Sequence, residues 1–166
     1  MVDLTRRNAV KVPVLAALAG AAVSSGIANA AETFQPATNE EKHGDIERYE
    51  LTPTYPGIPL ISYSVAYGGI VHLSGITADP RRLGDVKDQT RQILARIDGL
   101  LAQAGTNKSK LLSAQVWLTD MSLFAAHNDA WNEWVDPKNP PVRACLLSPQ
   151  LWRPGMLVEI MAVAAK

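Results

Sequence analysis

Three side chains near the C-terminus are of types that could bind a small anion and act on it: Arg143, Cys145 and Glu159. A planar guanidinium can form two parallel charge-assisted hydrogen bonds to a carboxylate. A glutamate can act as a general base toward a water molecule within hydrogen-bond reach. The combination therefore indicates either a structural ion pair between the arginine and the glutamate or a site for a small anion.

Two predicted strands, residues 142–148 and 156–164, position these side chains. Because side chains alternate across a strand, Arg143 and Cys145 share one face of the first strand. If the two strands pair as a simple hairpin, Cys145 lies opposite Glu159, and Arg143 lies one diagonal step away on the same face. A slip of one residue in this pairing would separate the groups.

The composition narrows the possible classes of protein. The chain has 166 residues, with 16 basic and 16 acidic side chains, so no charge excess favours nucleic acid. The three histidines, His43, His72 and His127, are far apart, and no ligand-spaced His/Cys motif predicts a metal site.

Cys145 is the only cysteine. A nucleophilic role would require His72 or His127 as its base, and no orienting third residue is evident; the sequence favours an inert thiol.

The N-terminal 30 residues have the pattern of an export signal. Arg6 and Arg7 precede an apolar run, residues 12–23, and the small-residue sequence Ala28-Asn29-Ala30 follows. This order predicts a cleaved signal peptide of the twin-arginine type and a periplasmic protein. The apolar run is far shorter than the roughly 20 residues that span a bilayer, so no membrane anchor is expected after cleavage.

The remaining chain is predicted to be a flexible leader, residues 31–45, and one α+β domain, residues 46–166. Strands followed by two amphipathic helices favour a mixed β-sheet with both helices packed on one face. The other face would carry apolar side chains, so we expect a second subunit to cover it. The predicted strands are 46–51, 60–67, 70–75, 111–118, 142–148 and 156–164, and the predicted helices are 85–104 and about 120–135.

Local signals predict the ends and the buried faces of the two helices. Asp85 is the predicted cap of the first helix, Gly105 its stop, and apolar side chains at three- and four-residue steps form one buried stripe. Asp120 or Ser122 is the predicted cap of the second helix. Its predicted inner face comprises Phe124, Asn128, Trp131, Trp134 and Val135.

Several segments in order resemble the Rid family, the reactive intermediate deaminases, also called YjgF-like proteins. They are SGITADP, GDVKDQTRQILARIDGLLAQAG, VWLTDMSLFAAHNDAWNEW and PPVRACLLS…LVEIMAVA, and the resemblance covers about residues 60–165. It implies a chorismate-mutase-like α+β fold and a homotrimer with sites between subunits. It also implies hydrolysis of enamine and imine intermediates, such as 2-aminoacrylate, to 2-oxo acids and ammonia without a cofactor.

The resemblance also implies roles for individual residues. Arg143, in the P-x-R-x-C block, would bind the substrate carboxylate, and Cys145 would line the pocket and offer its backbone N–H. Glu159 would hold or activate the attacking water. Ser74 and Gly75 would bring the backbone of the third strand close to the substrate.

Three features depart from the family pattern. Ile76 follows Ser-Gly where the family often has glutamine, which removes a polar group near the pocket. The pocket tyrosine could be Tyr63 or Tyr67. The loop before the last strand carries Trp152 and Arg153, which are bulkier than usual and could reshape the cleft.

The leading hypothesis is therefore an exported enamine/imine deaminase that acts on a small carboxylate. The main alternative is a trimeric protein that binds a small carboxylate without turning it over. Ribonuclease activity, known for some relatives, is a third possibility. The mature chain after cleavage would carry 13 basic and 15 acidic residues, which does not favour RNA as the substrate.

Overall fold

Seven β-strands and two α-helices make up the residues that the structure describes, 45–52 and 56–166 of a computed structural model. The predicted signal peptide and residues 31–44 of the predicted leader lie outside these residues. Within them, no helix is both long and apolar enough to cross a bilayer. The elements are β1 (Glu47–Leu51), β2 (Ser62–Tyr67), β3 (Ile70–Leu73), β4 (Ile76–Thr77), α1 (Val86–Gln103), β5 (Leu111–Leu118), α2 (Phe124–Trp134), β6 (Val142–Leu147) and β7 (Val158–Ala165).

The predicted order of elements is confirmed, with one addition. Strand β4 has only two residues, and it pairs with Ile160 and Glu159 of β7. The sequence around it has the composition of a turn-rich connection, and a two-residue strand is too short to show alternation. Its existence depends on the neighbouring strand.

Helix α1 follows the rules that predicted it. The Asp85 carboxylate accepts a hydrogen bond from the backbone N–H of Asp88 at 2.9 Å and caps the N-terminus. Gly105 ends the helix with a φ of 78°, a conformation that glycine adopts without strain. The stripe of apolar side chains is buried against the sheet, and each contributes roughly 1.5–3 kcal/mol of stability. The most buried are Ile93, Leu94, Ile97, Leu100 and Leu101.

Helix α2 begins later than the first predicted cap. Asp120 caps a short 3-10 turn by accepting a hydrogen bond from the Ser122 N–H at 2.8 Å, and the α-helix starts at Phe124. The buried side chains of α2 are His127, Ala130 and Trp131, whereas Phe124 is exposed. The buried face is therefore rotated from the predicted one, and it brings a histidine into the core.

The predicted hairpin between the last two strands is wrong. The sheet order is β1-β2-β3-β7-β5-β6, so β5 lies between β6 and β7. Strand β6 follows β5 through helix α2 and runs parallel to it, while β7 pairs with the other edge of β5 in the antiparallel sense. Cys145 is opposite Val116 and Glu159 is opposite Trp117. The ten residues between β6 and β7 are long enough for the chain to pass from one edge of β5 to the other.

Both helices cover one face of the sheet, as predicted. The buried residues Ala114, Val116 and Ile160 point toward the helices, and their neighbours in sequence point to the open face. On the open face of β6, Val142 and Leu146 are 72% and 52% exposed. An edge strand with exposed apolar side chains is a surface suited to contact another subunit.

Candidate functional site

Arg143 and Glu159 lie on opposite faces of the sheet. Arg143 pairs with Ala114, so its side chain points toward the helices. Glu159 lies between Val158 and Ile160, whose side chains are buried under the helices, so its own side chain points the other way. The prediction that they share a face is therefore wrong, and so is the structural ion pair within one chain.

Helix α2 forms a polar and aromatic cradle for Arg143. Its Nη1 donates a hydrogen bond to Oδ1 of Asn128 at 3.0 Å, and its Nη2 donates to Nε2 of His127 at 2.6 Å. The guanidinium carbon lies 4.9 Å from the ring centre of Trp131, a cation–π distance. These three partners come from consecutive turns of one helix, and they fix the plane of the guanidinium.

His127 joins this cradle to helix α1. Its side chain is 0% exposed, and its Nδ1 lies 2.9 Å from the hydroxyl of Thr90. The Thr90 hydroxyl in turn donates to the carbonyl of Val86 at 2.7 Å. Burial, and secondarily the charge of Arg143, lowers the pKa of His127 to about 4, so the ring is neutral at pH 7.

The guanidinium of Arg143 keeps unused hydrogen-bond donors. Of its five N–H groups, two bind Asn128 and His127. Nε is buried and has no hydrogen-bond partner among the described residues. Burial lowers the pKa of Arg143, and the neighbouring Cys145 opposes that effect. One N–H on each terminal nitrogen remains for a ligand.

Cys145 has the environment of an inert thiol. Burial raises its pKa, more than the charge of Arg143 and the Leu146 N–H lower it. Neither candidate base serves it, because His127 is committed to Thr90 and Arg143, and His72 is exposed on the opposite face. The nucleophile interpretation therefore has no support.

Glu159 lines a cleft of about 1190 Å³ at the end of the sheet. Its carboxylate lies directly against the backbone of Gly75. A Cβ atom at that position would overlap Oε1 of Glu159 and lie 3.0 Å from its Cδ. The walls combine strand, loop and helix residues, among them Ile58, Tyr63, Gly75, Thr77, Arg96 and Trp152.

The carboxylate of Glu159 is half-buried and chemically available. Desolvation raises its pKa. No hydrogen bond or ion pair to this side chain is found within residues 45–52 and 56–166, so nothing compensates the burial. A carboxyl group of this kind is suited to exchange a proton with a bound water.

Of the other residues singled out in the sequence, Tyr63 and Gly75 line the cleft, whereas Ser74 and Tyr67 do not. Tyr63 lies in the cleft, 5.2 Å from the guanidinium of Arg96, whereas Tyr67 lies at the far end of β2 and does not line it. The Ser74 N–H bonds the carbonyl of Tyr63 at 2.9 Å, and the buried Ser74 hydroxyl has no partner in the described chain. Gly75 is placed beside Glu159.

The loop before β7 contributes one wall of the cleft. The indole N–H of Trp152 donates to the hydroxyl of Thr77 at 3.2 Å, and Arg153 stacks over the same ring at 5.6 Å. Trp152 remains 60% exposed. Of the two bulky side chains noted in the sequence, Trp152 therefore lines this cleft on the side of β4, and Arg153 lies against the Trp152 ring.

Gln89 is a positioning residue that the sequence does not reveal. Its side chain is fully buried and donates to the carbonyls of Gly84 and Gly155 at 3.0 and 2.9 Å. Its amide oxygen accepts a hydrogen bond from the Leu157 N–H at 2.9 Å. It thereby fixes the segment that leads into the strand of Glu159. In the sequence, only the presence of a polar side chain among the apolar positions of a helix could have indicated this role.

Comparison with known proteins shows the family to which this chain belongs. Residues 58–166 match the family described as Endoribonuclease L-PSP. A RutC family protein of Haemophilus ducreyi is 40% identical over 100 residues, which are 60% of this chain and 83% of that protein. The RutC family protein YoaB of Escherichia coli is 39% identical over 102 residues, 61% of this chain and 86% of its own length.

Solved structures of the same family have the same fold. A YjgF family member of Neisseria meningitidis is 36% identical, with a TM-score of 0.66 over 75% of this chain and 97% of that one. A Rid family protein of Yersinia pestis is 28% identical, with a TM-score of 0.64 over 74% and 100%. The chain belongs to the Endoribonuclease L-PSP family, whose members also bear the names RutC, YjgF and Rid. Homotrimers are typical of this family.

Proposed function

We propose that this protein is an enamine/imine deaminase that hydrolyses small 2-aminoacrylate-type intermediates to 2-oxo acids and ammonia. The observation that carries the proposal is the contrast between two groups: a guanidinium that is fixed by α2 and keeps unused donors, and a half-buried carboxylate that has no bonded partner among the described residues. Arg143 can hold a substrate carboxylate, and Glu159 can transfer protons. Family membership supports the proposal, since the Rid name is borne by a structural relative.

The two groups belong to one site only if neighbouring subunits share it. In one chain Arg143 and Glu159 point to opposite faces of the sheet. The exposed apolar side chains of Val142 and Leu146 lie on the strand that carries Arg143, where a subunit contact would bury them. We propose a homotrimer in which Arg143 of one chain faces Glu159 of the partner subunit across the cleft.

The reaction uses one water molecule and one shuttled proton. An enamine first takes a proton from solvent on its β-carbon and becomes an iminium ion. Glu159 then removes a proton from water as the new C–O bond forms at the imine carbon. The protonated Glu159 returns the proton to the amine nitrogen of this carbinolamine. The C–N bond then breaks as the hydroxyl proton is lost to solvent, and the 2-oxo acid and ammonia leave. The raised pKa of Glu159 favours this return step near neutral pH.

The test couples the protein to a dehydratase that generates 2-aminoacrylate and follows the imine by trapping. The proposal expects faster loss of imine than in buffer, together with stoichiometric ammonia. Arg143→Ala should abolish this acceleration because the carboxylate loses both charge and orientation. Arg48→Ala, which removes an exposed arginine on β1, is the matched control and should retain it. No acceleration by the unaltered protein with any 2-amino-acrylate analogue would contradict the proposal.

The alternative function is binding of a small carboxylate without turnover. It is favoured by the cradle of Arg143, which would hold a carboxylate whether or not Glu159 acts. Pyruvate should then raise the melting temperature of the protein in an Arg143-dependent way while no ammonia is released. Ribonuclease activity, which the family description names, is less favoured because the chain has no excess of basic residues.

We also propose export to the periplasm by the twin-arginine route, on the pattern of residues 1–30 alone. Cell fractionation tests it. Replacement of both Arg6 and Arg7 by lysine should retain the protein in the cytoplasm at its full length. Unchanged fractionation of this variant would contradict the proposed route.

A further inference from the structure

We propose that His127 is a positioning residue that orients Arg143 for the substrate carboxylate through a one-directional hydrogen-bond relay ending on helix α1. The inference rests on the proposed role of Arg143 as the carboxylate ligand. It goes beyond that role because it concerns residues that hold Arg143 and not the ligand: His127 is fully buried and bonds Arg143, and Thr90 bonds His127.

The direction of every bond in the relay follows from its first member. A guanidinium only donates, so Nε2 of His127 must accept from Nη2 of Arg143. The proton of the neutral ring is therefore on Nδ1, which donates to the Thr90 hydroxyl. That hydroxyl in turn donates a hydrogen bond to the Val86 carbonyl, which lies one turn earlier in α1. Only one tautomer of His127 satisfies all three bonds.

Protonation of His127 would disrupt the relay. A proton on Nε2 would remove the acceptor and place a second positive charge 2.6 Å from Nη2 of Arg143. The charged and titratable groups that face the ring are Arg143 on β6 and, beyond it, Cys145, while Thr90 on α1 is uncharged. The neutral ring is thus held in place from both sides.

The relay also explains why a histidine is useful in this position. An apolar side chain of similar size would leave one Nη2 N–H without its partner and allow the long arginine side chain other rotamers. Without His127, Asn128 would fix only Nη1 of Arg143, and Trp131 would fix only the plane of the guanidinium. His127 supplies the second anchored nitrogen, which defines the direction in which the free N–H groups point.

The test combines a tautomer measurement with ligand affinity in the full-length protein. Nitrogen-15 NMR of the histidine rings should show His127 with its proton on Nδ1. Titration with pyruvate, the product analogue of the smallest substrate, should give a Kd about 10-fold weaker for His127→Leu. His127→Gln, which can still accept from Arg143, should stay within about threefold of the unaltered protein.

Thr90 provides a second pair of variants that touches neither Arg143 nor the ligand. Thr90→Val removes the acceptor for Nδ1–H and should weaken pyruvate binding, while Thr90→Ser preserves it. In the deaminase assay the losses should appear in KM more than in kcat. This pair also decides the question if His127→Leu does not fold.

Several results would overturn the proposal. They are a ring proton on Nε2, equal pyruvate affinity for Thr90→Val and Thr90→Ser, or unchanged affinity for a folded His127→Leu. Pyruvate binding that follows the relay without any imine hydrolysis would overturn only the proposed function. Hydrolysis with an unaltered KM in these variants would overturn only the relay. Absence of binding of pyruvate by the unaltered protein would overturn both.

Discussion

Arg143 and Glu159 represent two ways in which one sheet holds a charged side chain. Arg143 is half-buried under α2 and anchored by Asn128, His127 and the face of Trp131. Glu159 is half-buried against a glycine and has no bonded partner within the described residues. The first arrangement fixes the direction of the guanidinium N–H groups, and the second leaves a carboxylate available to exchange a proton.

Burial has different consequences for the protonation of the two side chains. Burial acts against the charged form in both, lowering the pKa of Arg143 and raising that of Glu159. Arg143 stays charged because its ordinary pKa lies far above neutrality. Glu159 starts much closer to pH 7, so burial brings it toward the range where a proton can be taken and returned. Under the proposed function, Arg143 orients the substrate and Glu159 transfers protons.

The largest effect is expected for Glu159→Gln. The variant lacks the carboxylate that is proposed to take the proton from water, so turnover should fall by about 10²–10⁴-fold. Pyruvate affinity should change little, because Arg143 is untouched. Steady-state kinetics and calorimetric titration provide the two readouts. A parallel loss of binding and turnover would contradict the division between the two regions.

A smaller loss is expected for Gly75→Ala. The added methyl group would overlap Oε1 of Glu159 and force the carboxylate away. A displacement of about 1 Å can lower turnover by roughly 10²-fold. Gly99→Ala is the matched control, since its added Cβ meets nothing within 4 Å in the exposed face of α1. The control should gain about 0.5–1 kcal/mol of stability, and its kcat should equal that of the unaltered protein.

Acid should destabilise the folded protein through His127, the buried partner of Arg143. The unfolded chain has His127 at the ordinary pKa of 6.5, whereas the folded pKa is about 4. Below pH 6.5 the unfolded state therefore takes up a proton that the folded state does not. The resulting loss of stability grows until pH reaches about 4, and it amounts to roughly 2 kcal/mol between about pH 7.5 and pH 5.

Urea unfolding at the two pH values measures this loss. His127→Leu should flatten the pH dependence by about that amount, irrespective of its absolute stability. His72→Leu, at an exposed position on β3, is the matched control. An equal pH dependence in His127→Leu and the unaltered protein would show that the buried ring does not resist protonation.

The sequence predicted most of the fold because its signals are local. The cap at Asp85, the apolar stripe of α1 and the stop at Gly105 depend on neighbouring residues, and each is confirmed. Helices on one face of the sheet are likewise confirmed. The two residues of β4 depend on pairing with β7, and local pattern could not reveal them.

The arrangement of the candidate site could not be predicted in the same way. The pairing of β6 with β5 places Arg143 toward the helices. Strands β6 and β7 are consecutive in sequence, and their residues do not indicate that β5 lies between them in the sheet. His127 is a further case, because its role depends on Thr90 and Arg143, which are 37 and 16 residues away in sequence. Residue types indicated the chemistry, and strand order decided the faces.

The most direct test of the account is complementation between two inactive variants. Arg143→Ala and Glu159→Gln chains, carrying different tags, are unfolded together at equal amounts and refolded. If each site combines Arg143 of one chain with Glu159 of the partner subunit, random assembly of a symmetric trimer restores about one quarter of the unaltered activity. If one chain supplied both groups, no mixed trimer would contain an intact site, and an inactive mixture of folded trimers would contradict the account.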